Sequence, residues 1–196
     1  MVYLFIDGSN LYASQFNLVG PEKYIHFPTF VTSLEKKLHI IFNVIYFYAS
    51  YSPRPSNQTK KQKRFLNNEY YFYKSVKEEK RTTFFKGYRS KTSGKEKEVD
   101  VKLSVDLVGY GLLGKFDNAF LMTGDADFLQ ACHFLKIYKP SVALTLLCMQ
   151  NKIMYKGLFY YPSNIIRFDH IPIKNIARRS KYINLKKTAD LCPRLS

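Results

Sequence analysis

Short apolar runs separated by stretches of helical spacing constrain this chain more than any other feature. Val2 to Ile6, Phe42 to Ala49, Thr82 to Tyr88, Phe120 to Met122 and Val142 to Cys148 each read as a β-strand, with Ile165 to Phe168 as a last short candidate. Between them lie helical patterns. Pro28 opens one in which Phe27, Phe30, Val31, Leu34 and Leu38 share a face, with Lys36 and Lys37 near its end, where the helix dipole favours cations. A polar, Lys-rich helix is expected from Asn57 to about Lys77, and Phe128, Cys132 and Leu135 mark another. Ser-Pro-Arg-Pro-Ser at 52–56 breaks regular structure, and 91–95 reads as a loop. There are no internal repeats, and the Lys/Arg-rich stretch after 170 has no placed element. Alternating strands and helices predict an α/β fold with a mainly parallel central sheet and helices on both faces.

One segment pulls two ways. In Glu98 to Val108, EVDVKLSVDLV, the apolar residues alternate strictly, which by periodicity is a strand. A parallel crossover from the strand at 82–88 to the one at 120–122 ordinarily needs a helix, and no other intervening segment supplies it, so a helix is expected. At about 100° per residue, Asp106 then shares a stripe with Leu103 and Tyr110, and Asp100 stands about a third of a turn round from it.

The chain has 196 residues, which suits one domain, and 46% hydrophobic content suits a packed core. Its 31 Lys and Arg face only 15 Asp and Glu, for a net charge of +16. The excess is concentrated: residues 51–100 carry fourteen basic and six acidic side chains, and residues 171–196 seven and one. Such segments suit a polyanion surface, because each neutralised phosphate releases counterions; a solubilising surface with a loose tail is the plainer alternative.

Acids beside apolar runs in so basic a chain need a reason. Asp7 ends the first strand, Asp125 and Asp127 follow the strand at 120–122, and Asp100 lies in the intervening crossover. In parallel sheets, ligands bind outside the carboxyl strand ends where strand order reverses, and the expected topology gathers these four acids there. Clustered carboxylates repel unless a divalent cation compensates them, and oxygen ligands favour Mg²⁺ or Mn²⁺. With basic flanks to hold phosphates, the set suits hydrolysis of a phosphodiester by metal-activated water. Plainer roles stand beside this one. Asp125 or Asp127 can cap the following helix, Asp7 can form an Asx turn, Asn10 can cap the next short helix, and Asp106 can support rather than bind a metal.

Three blocks then bring a resemblance. Phe-Ile-Asp-Gly-Ser-Asn-Leu-Tyr at 5–12, Lys-Glu-Val-Asp-Val-Lys-Leu-Ser-Val-Asp-Leu-Val at 97–108 and Thr-Gly-Asp-Ala-Asp-Phe-Leu at 123–129 together resemble the NYN-domain family of PIN-like, LabA-related nucleases. The resemblance covers residues 1–170 and leaves 171–196 as a basic C-terminal extension. It implies a PIN-like three-layer sandwich and an Mg²⁺- or Mn²⁺-dependent nuclease, usually acting on RNA, which leaves a 5′-phosphate and a 3′-hydroxyl. By position, Asp7, Asp100 and Asp125 match metal-binding acids, Asn10 matches the residue that orients metal or phosphate, and Asp127 and Asp106 match acids whose metal contact varies. Glu98 departs from the family, which often has Gly there. A homodimer is a partner the resemblance brings in.

Lys60, Lys61, Lys63, Arg64, Arg89, Lys95, Lys97 and Lys102 are the candidate nucleic-acid contacts, with a solvated face as the alternative for Lys95, Lys97 and Lys102. Tyr70, Tyr71 and Tyr73 suit either base stacking or the core. His26, His39, His133 and His170 have no relay spacing, and Cys132, Cys148 and Cys192 fit neither a disulfide framework nor a zinc site, so both sets are read as structural. The N-terminus lacks a signal peptide's apolar stretch of about 7–15 residues, and no run approaches a membrane span, so a cytoplasmic protein with no membrane contact is expected. A catalytically idle nucleic-acid-binding adaptor is the alternative function. An aspartyl phosphatase of haloacid-dehalogenase type wants a second Asp two residues after Asp7, where Ser9 stands.

Overall fold

The computed structural model describes residues 1–89, 96–149 and 169–185. The elements are β1 (Val2–Asp7), α1 (Gly8–Val19), β2 (Lys23–Ile25), α2 (Phe27–Leu38), β3 (Val44–Ala49), α3 (Lys60–Glu78), β4 (Thr82–Lys86), β5 (Tyr88–Arg89) and β6 (Glu96–Lys97). There follow α4 (Val99–Leu112), β7 (Asn118–Met122), a 3-10 turn (Ala126–Phe128), α5 (Leu129–Tyr138), β8 (Ala143–Cys148), β9 (Asp169–Pro172), α6 (Lys174–Arg179) and β10 (Tyr182–Asn184).

Six strands form the central sheet in the order β4-β3-β1-β7-β8-β9, and every pair is parallel. The chain winds outward from β1 through β3 to β4, returns to β7 beside β1, and winds outward again through β8 to β9. Strand order therefore reverses between β1 and β7, whose carboxyl ends flank a crevice of the kind that holds ligands in open α/β sheets.

Alternation along β1 feeds two cores. Leu4 and Ile6 pack with residues of α1, α2 and α3 such as Leu11, Phe30 and Phe72, together with Ala177 of α6. Tyr3 and Phe5 pack on the opposite face with Leu103 and Leu107 of α4 and Cys132 and Leu135 of α5. The result is the expected α/β three-layer sandwich.

The ambiguous segment is a helix. Val99, Leu103 and Leu107, spaced by four, are buried on α4, while Val101 and Val105 are 68% and 60% exposed. The apparent strand alternation thus merges an inward stripe with an outward one. Glu98, just before α4, adopts φ 72°, in the left-handed region that favours glycine, and makes no side-chain cap. A non-glycine residue there costs roughly 1–2 kcal/mol. Glu98→Gly is expected to stabilise the fold by about 0.5 kcal/mol, the relief being partly offset by greater freedom of the unfolded chain. Urea midpoints of the two proteins check this; a destabilised variant would show that the strain is absent.

Elsewhere the strand and helix expectations hold to within a few residues, with α3 starting at Lys60 behind a Thr59 capping box rather than at Asn57. The candidate strand at 165–168 and the loop at 91–95 lie outside the described residues, as does Cys192; Cys132 and Cys148 are buried. The stretch past 170, left unplaced by sequence, contributes α6 to the core and β10, which pairs antiparallel with β2.

Candidate active site

Asp7 is the last residue of β1 and only 5% exposed. It is also the N-cap of α1, its Oδ1 accepting from the Asn10 backbone N–H at 3.0 Å. Capping is thus done by Asp7, and Asn10, for which capping was the plainer alternative, lies inside the helix instead. The β1–β7 register pairs Ile6 with Met122, which brings Thr123 beside Asp7, and the Thr123 hydroxyl donates to Asp7 Oδ2 at 2.8 Å. Asn10 Oδ1 accepts from the Gly124 N–H at 3.0 Å, and Thr123 Oγ1 accepts from the Asp125 N–H at 3.0 Å. Asp125 in turn caps the 3-10 turn by accepting from the Asp127 N–H at 3.0 Å. One hydrogen-bonded unit therefore joins the start of α1 to the loop after β7. Thr123, to which sequence reasoning gave no role, is its link; a hydroxyl at a strand end beside an acid was the available signal. Asn10→Ala is expected to cost about 1 kcal/mol by freeing the Gly124 N–H; unchanged denaturant midpoints would show that the loop is held without it.

Burial is the largest cause that pushes the Asp7 carboxyl up, to about 6. The hydrogen bonds from Asn10 and Thr123 act against it, and the charges of Asp100 and Asp125 raise it further. Asp100 lies in the first turn of α4, and Asp125 and Asp127 are exposed just past the end of β7. The structure thus puts Asp100 and Asp125 near enough to act on Asp7. Asp106 is engaged elsewhere: its Oδ2 accepts from the buried Tyr48 hydroxyl at 2.9 Å and its Oδ1 from Lys102 Nζ at 2.6 Å. Those bonds occupy its carboxylate and anchor α4 to β3. Lys102, a candidate phosphate contact, is drawn to that acid, which holds its ammonium above the usual lysine range.

Among the described residues no three His, Cys, Asp or Glu side chains converge into a ready cation cage. The donor chemistry nonetheless fits Mg²⁺ or Mn²⁺. Each Asp7 oxygen spends one lone pair on a hydrogen bond and keeps another, and the charged groups acting on Asp7 are both carboxylates. Mg²⁺ in particular is bound through one or two carboxylates, its own waters and substrate phosphate rather than an all-protein cage.

The remaining candidates divide. Lys60, Lys61, Lys63 and Arg64 are exposed on the first turns of α3. Arg89 and Lys97 belong to the β5–β6 pair, and Lys95 lies outside the described residues. Tyr73 is buried, Tyr71 stacks on Tyr24, and Tyr70 is 44% exposed with the Arg54 guanidinium 5.9 Å from its ring centre. His26 meets Thr29 and Glu78, and His39 ends α2, so neither enters the acidic unit. No described helix is long and apolar enough to cross a membrane.

A doubly wound parallel sheet with acids at its switch point is the architecture expected of a PIN-like domain. The sequence matches the NYN domain over residues 1–154, and the chain belongs to that family, within the PIN-like nuclease superfamily. A solved structure of a protein of unknown function from Vibrio parahaemolyticus is similar in fold, with a TM-score of 0.53 at 15% identity over 87% of this chain and 91% of that one. A search of curated proteins found no match.

Proposed function

We propose that the protein is a metal-dependent ribonuclease that hydrolyses phosphodiester bonds at the Asp7 crevice. The observation that carries this reading is Asp7 itself: a buried carboxylate at the switch point, with the charges of Asp100 and Asp125 acting on it. Asn10 and Thr123 fix its orientation, and Asp100, Asp125 and Asp127 complete the acidic surface facing substrate. Mg²⁺ or Mn²⁺ held by Asp7, Asp100 and Asp125 would supply water activation and charge neutralisation. The acids would hold the ion and the basic side chains the phosphates, so that water attacks the scissile phosphorus in line, breaking its bond to the 3′ oxygen and leaving a 5′-phosphate and a 3′-hydroxyl. Lys60, Lys61, Lys63, Arg64, Arg89, Lys95 and Lys97 supply phosphate contacts. RNA as substrate is supported by the NYN family; a homodimer and a cytoplasmic setting complete the proposal.

One observation favours the adaptor alternative, namely that no three ligating side chains converge among the described residues. The same experiment decides. End-labelled single-stranded RNA, structured RNA and single-stranded DNA are incubated with Mn²⁺, Mg²⁺ or EDTA and wild type or Asp125→Asn. Metal-dependent cleavage is expected, falling about a hundredfold in the variant. Salt-sensitive RNA binding without cleavage in any metal would establish the adaptor instead.

A further inference from the structure

The loop from β3 to α3 leaves the same sheet edge as Asp7 and is built with unusual firmness. Glu69 of α3, only 3% exposed, accepts from both the Ser52 N–H at 2.9 Å and the Ser52 hydroxyl at 2.7 Å, which pins the start of the loop. Arg54 follows between Pro53 and Pro55, whose rings fix their own φ and restrict the residues before them, and its guanidinium lies over Tyr70. The backbone that carries this cation is thus restricted before any ligand arrives.

Two cavities share Leu66 beneath this loop. The first, of about 460 Å³, is lined by Arg54, Lys60, Lys63 and Arg64. Among the described residues only Arg64 of these four forms an ion pair, with Glu22 at 3.7 Å. The second, of about 300 Å³, is lined chiefly by Phe16, Pro53, Pro55 and Phe65. Lys60, Lys61, Lys63 and Arg64 all fall in the opening turns of α3, where the helix dipole is already positive and no acid relieves it. Cations there are unfavourable by roughly 0.3–1 kcal/mol each unless an anion is present.

The pair of cavities connects to the acidic crevice through one residue. Tyr12 stands about 7.5 Å along α1 from Asp7, and its hydroxyl donates to the Phe65 carbonyl of α3 at 3.0 Å. With a helix-to-helix spacing of about 8–10 Å across that contact, Phe65 and the apolar cavity it lines stand roughly 10–20 Å from Asp7. A stacked strand advancing about 3.4 Å per nucleotide spans that in roughly three to six residues.

We propose that these adjoining cavities form a subsite for an unpaired nucleotide of a single-stranded nucleic acid: phosphates lie among Arg54, Lys60, Lys63 and Arg64, and a base enters the slot between Phe65 and the two prolines. This rests on the nuclease reading and narrows its substrate to strands with an unpaired stretch roughly three to six nucleotides from the scissile bond. A base still in a duplex cannot turn into the slot without losing its pair.

The test is fluorescence anisotropy in EDTA with a short labelled single-stranded RNA, the same sequence as single-stranded DNA, and a blunt RNA duplex. Wild type is expected to bind both single strands at least about tenfold more tightly than the duplex, and Lys63→Glu to weaken that binding about tenfold and lower the salt slope by about one. Arg54→Ala is expected to weaken it about fivefold. Lys37→Glu, the same charge change at the far end of α2, is expected to change it less than about twofold. Equal affinity for duplex and single strand, or a Lys63→Glu effect no larger than that of Lys37→Glu, overturns the subsite. So does complete displacement of the strand by a nucleoside monophosphate at equal concentration, which would make the cavity a free-nucleotide site. Cleavage is assayed separately with metal. A wild type that cuts nothing ends the nuclease reading, while the EDTA binding results still decide the subsite.

Discussion

Asp7→Asn is expected to lower cleavage about a thousandfold and, in metal-free protein at neutral pH, to stabilise the fold by on the order of 3 kcal/mol. The stability gain follows from the carboxyl being pushed from its ordinary 3.8 to about 6, chiefly by burial. Below 3.8 the group is protonated in both folded and unfolded chains and adds no penalty. Between 3.8 and about 6 the unfolded chain ionises first, so wild-type stability falls as pH rises. Above about 6 the whole penalty is present. Asparagine never ionises and caps a helix as well as aspartate does, so the variant lacks this pH-dependent loss. Urea midpoints at pH 4, 5 and 7 in EDTA measure it; wild type and variant falling in parallel would refute the buried-charge account. Mn²⁺ is expected to raise the midpoint of wild type and leave Asp7→Asn unmoved, because only a ligand that binds the folded state stabilises it. A site that destabilises its own fold is what a charge kept for a cation should look like.

Gly8→Ala is expected to cost about 3 kcal/mol, more than its chemistry suggests. A Cβ on Gly8 would stand 2.1 Å from Phe47 Cε1. The Phe47 ring cannot swing aside, because Phe27, Tyr73 and Phe84 hold it with ring centres 5.7, 5.8 and 5.2 Å away. Relief must come from α1 shifting off the sheet, which would also carry Asn10 away from Gly124. Thermal melting and cleavage are therefore expected to fall together, unlike the opposite changes of Asp7→Asn. A loss below about 1 kcal/mol would mean that the core around Phe47 yields more readily than its packing implies.

Much of the site was legible because its acids end apolar runs. Asp7 and Asp125 follow strands whose periodicity is visible, so topology alone gathers them. The helix from Val99 was legible only through the geometry of crossovers, since its exposed Val101 and Val105 imitate strand alternation. What escaped is non-local. Asp106 faces a tyrosine 58 positions earlier, and nothing near either residue announces the pair. Thr123 acts through a register that a sequence does not print. Arg54 looked like part of a breaker, because Pro-Arg-Pro read alone marks irregular backbone; the buried Glu69 turns it into a fixed support. β2 and β10, at three residues each, are too short to show a period.

The pairing of β2 with β10 has a consequence for how the protein comes to be folded. Lys23–Ile25 meets Tyr182–Asn184, while the segment shared with the NYN family runs only over residues 1–154. Ile173 and Ala177, beyond that segment, are wholly enclosed by the rest of the protein. The segment that matches the family and the unit that packs together are therefore different lengths. The edge of β2 stays open until a partner about 160 residues later in the chain reaches it, so closure of this edge belongs among the slow, long-range events of folding.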